Sequence, residues 1–303
     1  MFRGGECPVT CAMSVPTTPP PVLAITGMHR SGTSFTASLL HAAGLFLGDR
    51  LMGQHASNPL GHFEDLDFYD LHRQMLRSCG FHEDGFACRG TPHPDPSFRD
   101  EALRLVELRR ARGTSWGWKD PRSALLLDFW HGMIPEARFL FVFRSPWDVV
   151  DSLYRRGDVE FAANPVLALD VWQHINGMIV EFASSHPDLV LVRDFKQIAT
   201  EPEATLTSIR ERFGIPLGEP ASTFRPEWMS AAPADRADLI AGLAPECVEL
   251  WQRLRELAGM RRSPPPGRSS TRADRDRVLR DWQRFRSGER RGPGHQSPSE
   301  RID

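Results

Sequence analysis

The residues with the clearest chemical potential form a glycine-bounded loop early in the chain. Gly27 and Gly32 enclose four residues, and two hydroxyl residues, Thr33 and Ser34, follow directly. A short apolar run precedes the loop and an alanine- and leucine-rich segment follows it, so the loop joins a buried strand to a helix. The unpaired amides and the positive dipole at a helix start attract anions. We therefore predict a phosphate loop over residues 27–34.

This phosphate loop departs from the nucleotide-triphosphate pattern G-x-x-x-x-G-K-[ST] at one position. Thr33 stands where that pattern has lysine, whereas Ser34 keeps the final hydroxyl position. Arg30 lies within the loop instead, and its guanidinium can hold two oxygens of one anion. An ordinary strand-turn-helix with a surface arginine is the alternative interpretation.

Charged residues also stand at the predicted ends of two other strands. Lys119 and Asp120 follow a short run of tryptophan and glycine, and Arg144 follows an aromatic and β-branched run. Open α/β sheets place ligand-binding groups at the carboxyl ends of their strands. Ser152 comes eight residues after Arg144 in a predicted helix, so both side chains can converge on one anion. A local charge network of Lys119, Asp120 and Arg122 is the alternative at the first strand end.

Glu64 is a carboxylate at a predicted helix start. It lies in Gly61-His-Phe-Glu-Asp65, and Asp65 can cap the helix that follows. From its position alone, Glu64 is equally well explained as a charge that favours the helix start.

The elements that must position these residues alternate between strand and helix. Strands are predicted over residues 22–26, 115–119, 137–143 and 189–193, with helices between and after them. This alternation predicts an α/β protein, a P-loop-containing three-layer α/β/α fold with a central parallel sheet. Residues 81–96, rich in Gly, Pro, His and Asp, are predicted to form an irregular loop that faces the substrate.

Three predicted helices carry specific expectations. The helix from Pro96 to about Arg112 is expected to turn Leu103, Val106 and Leu108 toward the core. A long helix is predicted to start at Asn164-Pro, and another runs from Pro202 to Phe213.

Composition limits the class of protein. The 303 residues are 40% hydrophobic and 25% charged with a net charge of −2, which is typical of a globular protein and gives no basic field for nucleic acid. No apolar run approaches the ~18 residues of a transmembrane helix, so a cytoplasmic enzyme is expected. The five cysteines form no CxxC pair and predict reduced thiols rather than a metal site.

The chain is predicted to have three parts. Residues 1–20 read as a disordered leader, residues 21–260 as a single domain, and residues 261–303 as an arginine-rich flexible tail.

Taken together, these motifs resemble the sulfotransferases that use 3′-phosphoadenosine 5′-phosphosulfate (PAPS). Residues 28–34 are similar to the family's 5′-phosphosulfate loop, and Arg144 with Ser152 is similar to its 3′-phosphate motif. Bacterial and Golgi-type carbohydrate sulfotransferases also resemble this chain in three further stretches, Asn58 to Asp65, Trp118 to Arg122 and Val192 to Pro216. The cytosolic aryl-type branch has lysine where Arg30 stands and a late Arg-Lys-Gly motif that is absent here, so its phenol and steroid acceptors are not carried over.

The resemblance implies which residues bind the donor. They are the loop residues and the 3′-phosphate pair: Arg30, Ser31, Gly32, Thr33, Ser34, Arg144 and Ser152. PAPS would be a co-substrate, and no metal is required because it presents a single 5′-phosphate that carries a sulfuryl group.

The resemblance also implies catalytic roles. Lys119 and Arg30 would neutralise charge that grows on the bridging oxygen. Glu64 would take the proton of the acceptor hydroxyl, and His62 and Asp120 are the other candidate bases. The acceptor would be a carbohydrate, a glycolipid or another metabolite. A P-loop small-molecule kinase and a non-catalytic nucleotide-binding protein of the same fold are the alternatives.

Overall fold

The computed structural model describes residues 19–53, 61–157, 160–161, 164, 166–219, 231–264 and 280. Almost all of the predicted leader and tail lie outside these residues. The first part of the stretch from Asn58 to Asp65 lies outside them as well. The predicted division of the chain into three parts therefore stays a prediction.

A sheet of four parallel strands lies at the centre of the protein. The strands are β1 (Val22–Thr26), β2 (Trp116–Lys119), β3 (Arg138–Phe143) and β4 (Val190–Asp194), and their order across the sheet is β2-β1-β3-β4. Both faces of the sheet are covered, which is why the strands read as nearly continuous apolar runs. All four strands were predicted to within one residue at each end, and the parallel sheet is confirmed.

Helices cover the sheet on both faces, as a three-layer fold requires. They are α1 (Thr33–Ala42), α2 (Leu66–Ser78), α3 (Phe98–Arg110), α4 (Leu127–Met133), α5 (Pro146–Arg156), α6 (Leu167–Ser185), α7 (Phe195–Thr200), α8 (Pro202–Phe213), α9 (Ala234–Leu243) and α10 (Pro245–Leu257), with a 3-10 helix at Pro121–Leu125. One core packs α1, α7 and α8 against side chains such as Leu23 and Leu140. The other packs α2 to α6, α9 and α10 against the opposite face, through Ala24 and Phe139. The predicted α/β/α architecture is confirmed.

The predicted helix caps are present. Asp65 Oδ1 accepts a hydrogen bond from the amide of Asp67 at 3.1 Å, and Ser145 caps α5 ahead of Pro146. Gly214 ends α8 with φ of 65°, a left-handed conformation that glycine adopts without strain.

The predicted inward face of α3 was right for Val106 but wrong for Leu103 and Leu108. Leu103 and Leu108 are 42% and 57% exposed, whereas Ala102, Val106 and Arg109 are buried. These three buried positions follow helical spacing, so an arginine occupies a place in the apolar stripe where the sequence pattern would put a leucine. Such a buried cation must have a partner, and the partner lies beside the candidate site described below.

Two other expectations are refined. Residues 81–95 contain no helix or strand, as predicted, and the long helix α6 begins at Leu167 rather than at Asn164. Among the described residues, no helix combines the length and the apolar composition that crossing a membrane would require.

Candidate functional site

The phosphate loop leaves the sheet between the ends of β2 and β3. Ile25 pairs with Lys119 on one side, and Thr26 pairs with Phe141 on the other. Gly27 has φ of 151°, and a Cβ added there would lie 2.0 Å from the carbonyl oxygen of Val142. Glycine is therefore required for the chain to turn this close to β3.

A second glycine brings the loop against β4. Gly32 has φ of 89° and precedes the first turn of α1, and a Cβ on it would lie 2.1 Å from the ring of Phe195. Phe195 directly follows β4, and its ring also lies 5.8 Å from the guanidinium of Arg144. Phe195 was not predicted as a site residue; its only sequence signal is an aromatic side chain directly after a strand.

The start of α1 has the features of an anion site. No side chain of the described residues caps this helix start, so its first amides are available to a ligand. The Ser31 hydroxyl is buried and has no hydrogen-bond partner within the described part of the chain. An unpaired buried hydroxyl is destabilising unless a ligand or water satisfies it.

Two arginines line the α5 side of the loop. Arg30 has φ of 71°, and its Nε donates to the hydroxyl of Ser152 at 2.9 Å. Arg144 Nε lies 3.7 Å from a carboxylate oxygen of Asp148, and burial lowers the pKa of Arg144. Because burial disfavours the charged form of Arg144, a multiply charged ligand such as phosphate would stabilise that charge strongly.

A lysine and a glutamate meet on the β2 side of the loop. Lys119 and Glu64 are only 2% and 5% exposed, and Lys119 Nζ donates to Glu64 Oε1 at 2.5 Å and to the carbonyl oxygen of His62 at 2.8 Å. Burial raises the pKa of Glu64 although Lys119 acts in the opposite direction. Among the described residues, Glu64 Oε2 has no hydrogen-bond partner, and His62 Nδ1 lies 3.8 Å from it. Glu64 therefore has one oxygen held and one free to accept a proton.

Asp120 belongs to a buried chain of hydrogen bonds. Trp130 Nε1 donates to His72 Nε2 at 2.8 Å, so the other ring nitrogen of His72 donates to Asp120 Oδ2 at 2.9 Å. The second oxygen of Asp120 accepts from the backbone and side chain of Arg122. Burial alone would raise the pKa of Asp120, but Arg122 and His72 outweigh it and hold the pKa well below the usual carboxyl range. This carboxylate is poorly suited to take up a proton.

The irregular segment 81–96 lies against the phosphate loop. Arg122 donates to the carbonyl oxygen of Glu83 and to Asp84 Oδ1, both at 2.8 Å. His29 Nε2 lies 2.8 Å from the carbonyl oxygen of Asp84, to which it donates. These contacts were not predicted, because no local pattern links segments so far apart in the chain.

A cavity of about 520 Å³ lies away from these groups. It is lined by residues 91–96, the start of α4 and the second half of α6, and none of the predicted site residues lines it. The described residues also contain no group of three or more His, Cys, Asp or Glu that could hold a metal ion.

Comparison with known proteins gives one family match. Residues 21–219 match the model of the sulfotransferase family. Among solved structures, the chain is similar to the sulfotransferase domain of the Synechococcus PCC 7002 olefin synthase, with 16% identity, coverage of 88% of this chain and 97% of that chain, and a TM-score of 0.43. It is also similar to a sulfotransferase from Alicyclobacillus acidocaldarius, with 16% identity, coverage of 85% and 100%, and a TM-score of 0.49. No curated protein sequence matches the chain.

Proposed function

The chain belongs to the sulfotransferase family, and from that premise we propose that it transfers a sulfuryl group from PAPS to a hydroxyl of a carbohydrate, a glycolipid or another small metabolite. The observation that carries the proposal is the ion pair of Lys119 with Glu64 beside the phosphate loop, where no side chain of the described residues caps the start of α1. A cation for the transferring group and a base for the acceptor then stand next to an anion site.

The residues of the loop fit the donor. The Ser31 amide donates to the carbonyl oxygen of Met28 at 3.1 Å, so the amides of residues 32–34, the unpaired Ser31 hydroxyl and the hydroxyls of Thr33 and Ser34 would hold the 5′-phosphate. Arg144 and Ser152 would hold the 3′-phosphate, since a guanidinium group suits a doubly charged anion, and Arg30 lies next to this pair through its contact with Ser152. When bound, PAPS supplies a sulfuryl group on a good leaving group.

The catalytic roles follow from the contacts of Lys119 and Glu64. Lys119 has three donors, and its described contacts with Glu64 and His62 use two of them. The third can be donated to an oxygen on which negative charge grows, together with Arg30. Glu64 would accept the proton of the acceptor hydroxyl on Oε2, which suits a carboxylate whose pKa burial has raised.

The other candidates for the base are less suitable. Using Asp120 would break hydrogen bonds to His72 and Arg122 in a fully buried network. His62 is more exposed than Glu64 and stays the second candidate, since its ring faces the same carboxylate. The cytoplasmic location expected from the sequence stays a prediction.

We expect the desulfated donor product, adenosine 3′,5′-bisphosphate, to bind at least about tenfold more tightly than adenosine 5′-phosphate. Charge-assisted hydrogen bonds are worth ~1.5–3 kcal/mol each, and only the bisphosphate has the 3′-phosphate that Arg144 and Ser152 would bind. Titration calorimetry measures both affinities. Ser152→Ala should reduce the difference between the two affinities. Ser184→Ala, near the end of α6, is the control and should leave that difference unchanged. Equal affinities in the native protein would contradict the assignment.

Sulfuryl transfer should continue in the presence of excess EDTA. The phosphate loop has Thr33 where a kinase loop carries lysine, and the charge at the transferring group is met by Lys119 and Arg30. Initial rates with radiolabelled PAPS, with and without chelator, test this. Loss of turnover that Mg²⁺ restores would favour the kinase alternative.

A further inference from the structure

Glu64 lies in a segment with an unusual backbone. Phe63, directly before it, has φ of 60°, a left-handed value that is uncommon for a bulky side chain. The carbonyl oxygen of Glu64 accepts from the amide of Met52 at 2.7 Å. A strained residue next to a candidate base persists only if neighbouring contacts hold the chain in place.

The residue on the other side of Glu64 supplies such a contact. Asp65 is almost fully buried, and Arg109 donates to Asp65 Oδ2 from Nε at 3.0 Å and from Nη2 at 2.7 Å. Asp65 Oδ1 caps α2, so each oxygen of this carboxylate has a separate partner. Gly48 is packed so closely that a Cβ there would lie 2.4 Å from Asp65. The carboxylate of Asp65 therefore has very little freedom to move.

Arg109 reaches this position from α3, a helix that contributes none of the proposed catalytic or donor-binding residues. Its side chain is 1% exposed and also donates to Asp67 at 2.6 Å. Both charges of a buried ion pair lose their hydration, so an inward arginine on an otherwise apolar stripe is a costly feature. Leucine in place of Arg109 could fill the same volume, but it could not hold the carboxylate of Asp65, the residue next to Glu64.

We propose that Arg109 is a positioning residue that acts through Asp65 to hold the Glu64 carboxylate against Lys119 and toward the acceptor. The proposal rests on the role of Glu64 in the proposed function. Displacing a catalytic group by about 1 Å can cost ~10²-fold in rate, so a rigid anchor one residue from the base would have a large effect.

A double-mutant cycle tests the proposal. Arg109→Lys keeps the charge but loses the paired donors, and Asp65→Asn keeps the size and the helix cap. Each change should lower kcat at least about tenfold in the native background and less than twofold in a Glu64→Gln background, because neighbours that act as a unit are not additive. Arg110→Lys, on the same turn but paired with Glu136, is the matched control and should have little effect in either background.

A second measurement does not need turnover. The ¹³C resonance of the Glu64 carboxyl can be titrated in each variant and assigned by its loss in Glu64→Gln. Release of the segment lets water reach Glu64, so the midpoint in Arg109→Lys and Asp65→Asn should fall toward that of an ordinary glutamate. An unchanged midpoint, or an equal loss of kcat in both backgrounds, would reduce Arg109 to a stabilising ion pair and overturn the proposal. If the native protein transfers no sulfuryl group, the proposed function fails, and the titration still decides whether Arg109 fixes Glu64.

Discussion

Glu64→Gln is expected to lower kcat by about 10²–10⁴-fold, the usual contribution of a general base, while the affinity for adenosine 3′,5′-bisphosphate stays the same. Glutamine keeps the size and the hydrogen-bonding capacity of Glu64 but cannot accept a proton. Steady-state kinetics with PAPS and calorimetry with the bisphosphate separate the two effects. Glu136→Gln, at a partly exposed ion pair with Arg110, is the matched control.

The pH dependence gives the same prediction a second test. A base works only when deprotonated, so kcat/KM should rise with pH through the pKa of Glu64, which burial raises from its ordinary value. This acid limb should be missing from the residual activity of Glu64→Gln. Near-normal turnover in the variant would return Glu64 to the role of a charge at a helix start and make His62 the next candidate.

Lys119→Met is expected to have the second largest effect, a loss of ~10²–10³-fold in kcat, the usual result of removing one group that stabilises transition-state charge. Arg30→Ala should lower kcat and also weaken bisphosphate binding, because Arg30 lies on the loop and contacts Ser152. Lys119→Met should weaken this binding much less. If both variants lost donor affinity equally, Lys119 would be a donor-binding residue rather than a catalytic one.

Lys119→Met should also change stability in a pH-dependent way. The variant leaves the Glu64 carboxylate buried without its cation, and breaking a buried pair in this way typically costs ~3–5 kcal/mol. The folded-state pKa of Glu64, already raised, rises further, so the folded state binds the proton more tightly than the unfolded state. The loss of stability is therefore largest at pH values above the folded-state pKa, and it becomes smaller as the pH falls toward the pKa of glutamate in the unfolded chain. Denaturant unfolding at several pH values measures this, and Glu64→Gln in the same chain should remove the pH dependence.

Local chemistry allowed much of the fold and part of the site to be predicted. A buried parallel strand is a continuous apolar run, a helix start needs a cap, and a tight turn needs glycine, so β1, the phosphate loop and α1 are recognisable without any distant contact. The same reasoning located β3 and the start of α5 at Ser145. Each of these features depends on residues within a few positions of one another.

The charged groups of the site were identified as candidates, but their distant partners were not. Lys119 and Glu64 are 55 residues apart in sequence, and Arg30 and Ser152 are 122 residues apart. Only the register of β1 against β2 and β3 brings such groups to one edge of the sheet. For Asp120 the sequence named Arg122 as a local charge partner but not His72, so the two alternatives left open, base or charge network, were separated only by the tertiary structure.

The sequence by itself determined the layered α/β architecture and the glycine-bounded loop before α1, since both depend on periodicity and backbone conformation that a short stretch of chain contains. The tertiary structure alone decided which charged side chains are buried and which distant residues they pair with. Periodicity predicts Leu103 and Leu108 inside and Arg109 outside, but a cation can replace leucine in a core when a distant carboxylate pairs with it. Arg109 is buried for that reason, because folding places Asp65 directly against α3.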